Sequence, residues 1–271
     1  MALTADALTQ TQRAFDGVAR SYDRANRANP LIAAMRERTL AALTDHVAPG
    51  ACLIDLGCGP GTDAIELGSR GYRVTAVDWS PAMVAEARAR VAGLGLDSHV
   101  QVRHLGIHQL QVLSGKAFDA AYSNLGPLNC VPHLEEAARA IADRLRPGGI
   151  FVASVIGRVC PWEIARYGLT GHWRRVGVRF KDGFVPVPLE GRTVWTRYYD
   201  PVEFERVFAG AGLRTLTRRA LGLLTPPPYL EGFAARHPRW IDRLQRLEDR
   251  TAHWPILNRA GDHFLSVMAR R

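Results

Sequence analysis

The chain has 271 residues, 47% of them hydrophobic and 23% charged, with a formal net charge of +9. That length and apolar fraction suit one large α/β domain with insertions and exclude a disordered chain. No apolar run is long enough to cross a bilayer as a helix.

The segment Met1–Gln10 lacks a basic stretch followed by an apolar one, so no secretory leader is expected and a cytoplasmic location is the default. Cys52, Cys58, Cys130 and Cys160 form no C-x-x-C pair and have no companion His spacing. They read as small buried hydrophobes in a reducing compartment, with no metal site. The cations are nearly all Arg, only Lys116 and Lys181 being Lys. Arg174-Arg175 with Arg179 and Lys181, and Arg218-Arg219, are clustered. Without a longer basic track they read as solvated surface or a contact to an acidic substrate, ahead of a nucleic-acid groove.

Taken in chain order, Phe15, Val18 and Tyr22 recur at helical spacing, and a second helix is predicted from Leu31 to His46 after the polar break Asn26–Pro30. Ala51–Leu56 is a short apolar run, as expected for a strand buried on both faces. Gly57, Gly59 and Gly61 alternate through the turn that follows, where side chains would block a ligand's approach to the backbone. A helix is predicted over Thr62–Ser69, its free N–H groups favouring a carboxylate. Tyr72–Val77 is the second strand, and Asp78 at its tip is placed to accept hydrogen bonds from two ribose hydroxyls. This unit is predicted to bind a nucleoside-bearing cofactor.

Ser80 and Pro81 open a helix to Ala92, as N-cap and first-turn proline. Strands are predicted at Val100–Leu105, Phe118–Tyr122 and Ile150–Val155, with a helix over Pro132–Leu145 closed by Arg146-Pro-Gly-Gly149. Such alternation implies a parallel sheet with right-handed crossovers and a ligand at the strands' carboxyl ends. After Ile156 the pattern breaks. A helix near Pro161–Gly168, a hairpin from Phe184–Leu189 and Thr193–Tyr199, a capped helix from Asp200 to about Ala209, a strand Leu213–Ala220, a helix Pro238–Arg250 and a last strand Asp262–Ala269 follow. One domain over 1–271 is expected: an N-terminal helical segment 1–48, a cofactor core 49–156, and lid insertions 157–200 and 222–258.

The segment Leu53-Ile-Asp-Leu-Gly-Cys-Gly-Pro-Gly-Thr-Asp63, with Asp78-Trp-Ser-Pro-Ala-Met83, resembles the S-adenosylmethionine (SAM) motif of Rossmann-like class I methyltransferases. The dinucleotide fingerprint G-x-G-x-x-G is the competing reading, but its sixth position here is Thr62. Phe15-Asp-Gly-Val-Ala-Arg-Ser-Tyr-Asp23, Phe118-Asp119 and Leu145-Arg-Pro-Gly-Gly149 further resemble the ubiquinone/menaquinone-type small-molecule methyltransferases. The resemblance is close over Phe15–Val155 and holds only in outline beyond. It implies a Rossmann-like, mostly parallel seven-stranded sheet flanked by helices, with its last strand antiparallel, and SAM as cofactor with S-adenosylhomocysteine as product. Carried across, Gly57, Gly59 and Gly61 face the methionine moiety, with Cys58 lining the loop through its backbone and Asp63 beside it. Asp55 engages the loop or the amino group, Asp78 holds the ribose, and Trp79 and Met83 flank the adenine. Ile107 or His108 stands where relatives place an acid for the adenine amine. Asn124 and Leu125 contact the cofactor, and Tyr22 closes over it.

For the acceptor, Asn129, His133, Trp162 and Tyr199 are the candidates. Trp162, Trp173, Phe180, Trp195, Tyr198 and Tyr199 give the insertions an aromatic character suited to a bulky apolar molecule such as a quinone, polyketide or lipid. Because the sulfonium carries the activation, no catalytic residue is assigned; His104, His108 and His133 are candidate bases, His133 the best placed. The predicted function is SAM-dependent methylation of a small molecule. An RNA or nucleic-acid methyltransferase and a non-catalytic SAM-binding protein are the alternatives. No membrane span is expected, peripheral membrane contact is an open option, and the oligomeric state is not readable.

Overall fold

A computed structural model describes residues 3–113 and 117–271. Two helices, α1 (Ala5–Ala28) and α2 (Pro30–Thr44), precede a strand–helix alternation: β1 (Cys52–Leu56), α3 (Thr62–Ser69), β2 (Arg73–Asp78), α4 (Pro81–Gly93), β3 (Val100–His104), β4 (Phe118–Ser123), α5 (Leu134–Arg144) and β5 (Leu145–Ile156). The first insertion holds α6 (Pro161–Leu169), α7 (Trp173–Val176) and the hairpin β6 (Val185–Leu189) and β7 (Arg192–Thr196). Then come α8 (Pro201–Gly210), β8 (Leu213–Leu221), α9 (Glu231–Arg236), α10 (Pro238–Thr251) and β9 (His263–Arg270).

The main sheet has seven strands in the order β3-β2-β1-β4-β5-β9-β8. The first five strands are parallel, and β9 runs antiparallel between β5 and β8. Because β1 pairs with both β2 and β4, the strand order reverses at β1 and opens a crevice at its carboxyl end. Side chains alternate across the sheet as the pleat requires. Ile54, Ala121, Phe151 and Phe264 pack with Ile141, Phe204 and Phe208 on one face, while Leu53, Tyr122, Val152 and Leu265 pack with Met35, Leu43 and Leu67 on the other. The inner strands β1 and β4 are buried on both faces, which is why they read as mostly apolar runs, whereas the edge strand β3 is largely exposed and alternates.

Caps legible in the sequence form. Ser80 Oγ accepts from Met83 N at 3.1 Å, and Asp200 accepts from Val202 N at 2.9 Å. The turn Arg146–Gly149 departs from expectation. It does not precede β5 but is a bulge within it: Phe118 pairs with Leu145, yet Ala120 pairs with Ile150. Gly148 takes φ +74° there, so the strand pairs on both sides of the excursion. Helices α7 and α9 are additions; both are one or two turns long, too short for a periodic signal.

Three contacts hold α1 and the hairpin in place. Trp195 N donates to Thr11 Oγ1 at 3.0 Å and Trp195 Nε1 to Gln10 Oε1 at 2.9 Å. A Cβ on Gly17 would stand 1.8 Å from the Arg192 guanidinium, so only glycine lets that side chain lie against the helix. At the other end of the insertion, buried Arg179 binds Glu163 at 2.7 and 2.8 Å and Asp262 at 2.6 Å, tying α6 to the start of β9.

Candidate active site

A cavity of about 310 Å³ opens at the carboxyl ends of β1, β2 and β4. Its floor is the glycine turn. Gly57 N and Cys58 N donate to Val77 O at 2.9 and 3.0 Å, stitching the turn to β2. Gly57, Gly59 and Gly61 all have positive φ (+78°, +54° and +78°), a region L side chains rarely enter. They are not equivalent. A Cβ on Gly57 would meet Pro127 at 2.4 Å, one on Gly61 would meet Ala87 of α4 at 3.1 Å, and one on Gly59 meets nothing within 4 Å. Gly61 therefore serves helix packing and lies off the cavity wall, contrary to its predicted placement; Gly57 and Gly59 line the cavity.

Asp78 is held from both sides, accepting from Gly59 N at 2.8 Å and Ser80 N at 2.8 Å. Burial nevertheless raises its carboxyl above the ordinary range, the Ser80 and Gly59 amides offsetting only part of that. Asp63, on the first turn of α3, accepts from Asn124 Nδ2 at 3.0 Å, Tyr122 OH at 3.3 Å and the Arg36 guanidinium. Asp55, near the end of β1, differs from these two acids: it is buried, and its Oδ2 has no hydrogen-bond partner among the described residues. Burial first, then the Asp63 and Asp78 charges, push its carboxyl well above the usual value, with Arg36 pulling the other way.

The far wall carries Trp79, Met83, Ile107 and His108. His108 meets Trp79 edge-on with centroids 4.6 Å apart, and burial lowers its pKa. Trp79 O accepts from Gln12 Nε2 at 2.8 Å, joining this wall to α1. Beyond β4, Leu125 has φ +61°, held by its N–H donating to Ser154 Oγ at 2.8 Å. Such strain in a non-glycine residue concentrates at functional sites. Tyr22 lines the cavity from α1, its phenol raised by burial. Cys130 also lines it; burial pushes its thiol up to about 12, so it offers no thiolate at neutral pH.

The four predicted acceptor residues lie off this wall. Asn129 is saturated: Nδ2 donates to Ile156 O at 3.0 Å and Arg197 O at 2.7 Å, and Oδ1 accepts from Ile156 N at 2.9 Å. His133 is exposed just before α5. Trp162 Nε1 donates to Leu224 O at 2.7 Å, with its ring beside Phe233. Tyr199 packs on Phe204 in the core, centroids 5.6 Å apart. The hairpin's contribution is mainly aliphatic instead, through Val187, Pro188, Leu189 and Val194 with Thr196 beside them, and residues 222–258 contribute none of the wall. The sequence reading also missed Arg36 from α2 and the α1 face Leu8, Thr11, Gln12 and Phe15. That α1 face had a signal, since Leu8, Thr11 and Phe15 extend the spacing of Phe15 and Tyr22 toward the N-terminus.

Residues 53–149 match the "Methyltransferase domain" family model. Over 169 residues the chain is 30% identical to the ubiquinone biosynthesis O-methyltransferase of Methylobacterium sp. (strain 4-46), covering 60% of each chain. The chain thus spans less than two thirds of that relative's length. The CcbJ methyltransferase of Streptomyces caelestis superposes with a TM-score of 0.58 at 18% identity, over 87% of this chain and 88% of that one. The geranyl diphosphate C-methyltransferase of Streptomyces coelicolor A3(2), solved with S-adenosyl-L-homocysteine, gives 0.56 at 17% identity, over 87% and 77%. At those identities the likeness is one of fold. The family model thus spans the strand–helix core that carries the cavity floor, and the fold around it is the one shared with these methyltransferase structures.

Proposed function

We propose that the cavity holds SAM and that the protein transfers its methyl group to a small apolar acceptor. The observation that carries this reading is Asp55, a buried carboxylate on the cavity wall whose Oδ2 has no partner among the described residues; of the other polar groups on that wall, the Trp79 indole N–H is likewise buried and unpartnered. A buried acceptor with no donor is costly, and an ammonium group supplies the missing donor. The rest of the donor set fits the same molecule. Arg36 offers a cation to the amino acid's carboxylate, Asp78 presents a carboxylate to the ribose, and Trp79, Met83 and Ile107 form an apolar slot for the adenine. Gly57, Gly59 and Cys58 contribute backbone; Asp63, Asn124 and Leu125 shape the methionine side, and Tyr22 covers it.

When bound, SAM supplies an electrophilic methyl on a sulfonium. The chain's task is then to orient the acceptor and exclude water. Leu8 and Phe15 of α1 and Val187, Leu189 and Val194 of the hairpin form the enclosing apolar side, which supports an apolar acceptor rather than a nucleic-acid base. On this reading α1 and the hairpin are the lid. Four free cysteines support a reducing compartment such as the cytoplasm.

Titration calorimetry with SAM, S-adenosylhomocysteine and NADH tests the cofactor. Binding of the first two is expected, and Asp55→Asn weakens it roughly tenfold or more through the lost charge-assisted bond. Heat with NADH alone would overturn the reading. Incubation with labelled SAM and fractionated cell extract then identifies the acceptor, with label expected in an apolar small molecule.

A further inference from the structure

Helix α10 presents a face that the folded chain leaves bare. Its rotation is fixed from within: Ile241 and Glu248 are buried, and Glu248 accepts from Gly222 N and Leu224 N, both at 2.9 Å. At about 100° per residue, Trp240 and Leu247 fall within about 20° of each other, outside that buried edge. They are 59% and 49% exposed, and the turn beyond the helix adds Trp254 at 51% and Ile256 at 82%. Next round the helix come Arg239, Arg243 and Arg250, all exposed and, among the described residues, in no ion pair with a carboxylate. Of the helix's acids, Glu248 is on the buried edge, Asp249 pairs with Arg38 at 2.7 Å and Arg219 at 2.8 Å on the far side, and exposed Asp242 borders the arginine row on the side away from Trp240.

We propose that this face of α10, with the turn at Trp254–Ile256, docks the protein on an anionic membrane surface. The helix lies in the plane of the interface, with Trp240 and Leu247 entering the headgroup boundary and the three arginines meeting lipid phosphate. Charge complementarity selects the partner: an apolar stripe bordered by free arginines fits a surface that is apolar within and anionic without. A nucleic acid would use the arginines but has no use for exposed Leu247 and Ile256. The inference stands apart from the methyl-transfer reading, because docking needs no cofactor and no turnover.

Co-sedimentation of the full chain with phosphatidylcholine vesicles, with and without phosphatidylglycerol, reads it directly. Binding to the mixed vesicles alone is expected, weakening as salt is raised. W240S/L247S keeps every charge and lowers the partition coefficient roughly tenfold; R239Q/R243Q/R250Q lowers it roughly a hundredfold. These side chains are exposed, and Trp254→Ser reads the same face should the double variant melt early. Unchanged binding by W240S/L247S would overturn the proposal in favour of bulk charge. So would a concentration-dependent dimer abolished by that variant, which assigns the face to a second copy. Salt-sensitive retention on RNA without vesicle binding would assign the arginines to nucleic acid and equally overturn it.

Discussion

Asp55 stays protonated above the ordinary carboxylate range, because burial and the neighbouring Asp63 and Asp78 charges penalise its ionised form. A cation arriving at its free Oδ2 reverses that penalty, so SAM binding should expel a proton. The sign follows from the direction of the shift: release appears above the ordinary value of about 4 and ends once pH exceeds the raised value in the free protein. Calorimetry in buffers of different ionisation enthalpy measures it, and Asp55→Asn abolishes it while the fold persists. Equal proton release by the variant would remove Asp55 from the ammonium site. Individual residues were unevenly legible. Asp55, Gly59 and Asp78 sit within one contiguous segment, where spacing in sequence is spacing in space. Arg36 is one of many arginines, and its partner Asp63 is 27 positions away. Asn129 failed for the converse reason, since saturation of its amide by the backbone of Ile156 and Arg197 exists only after folding.

Among the elements, α1 has the most to lose. The two acids of its Phe15–Asp23 segment reach the openings of two different helices: Asp16 accepts from Ser80 Oγ at 2.5 Å and Ala82 N at 3.3 Å at the start of α4. Asp23 accepts from Thr62 Oγ1 at the start of α3 and pairs with Arg90 at 3.0 Å. Burial alone would raise Asp23, but the Thr62 and Arg27 hydrogen bonds and the Arg90 charge leave it lowered. Helix N-termini attract carboxylates, so each acid is a rivet between α1 and the floor of the cavity. Asp16→Asn with Asp23→Asn should loosen α1, raising its hydrogen exchange and the cofactor's dissociation rate by roughly tenfold at least, with exchange in β1 and β4 unchanged. Unaltered exchange over 5–28 would show that packing alone holds the helix. Element existence was legible wherever periodicity ran for several turns or a strand was buried on both faces. The β5 bulge was not, because a Pro-Gly-Gly run reads as a chain break until pairing with β4 on either side is known.

For the molecule as a whole, Arg179 decides whether the first insertion belongs to the sheet. Its guanidinium holds Glu163 and Asp262, donates to the carbonyls of Gly157 at 3.0 Å and Asp262 at 3.1 Å, and lies 5.1 Å from the Tyr198 ring centre. The planar fork meets these partners at once, and lysine cannot reproduce it. Arg179→Met leaves two carboxylates facing each other in a buried site, which costs about 3–5 kcal/mol and should lower the urea midpoint accordingly. The clamp also sets the response to acid. Burial would raise Asp262, but the Arg179 charge and the His263 contact outweigh it and hold the carboxyl well below its ordinary range. A group depressed on folding stabilises the protein fully above its unfolded value, about 3.9, and loses that contribution as pH falls through the folded value. Wild-type stability should therefore drop steeply below about pH 4, while Asp262→Asn starts less stable at neutral pH and falls less over the same interval. Parallel urea curves at a series of pH values compare the two slopes. Identical slopes would mean that other carboxylates govern acid unfolding and that Arg179 acts through packing against Tyr198.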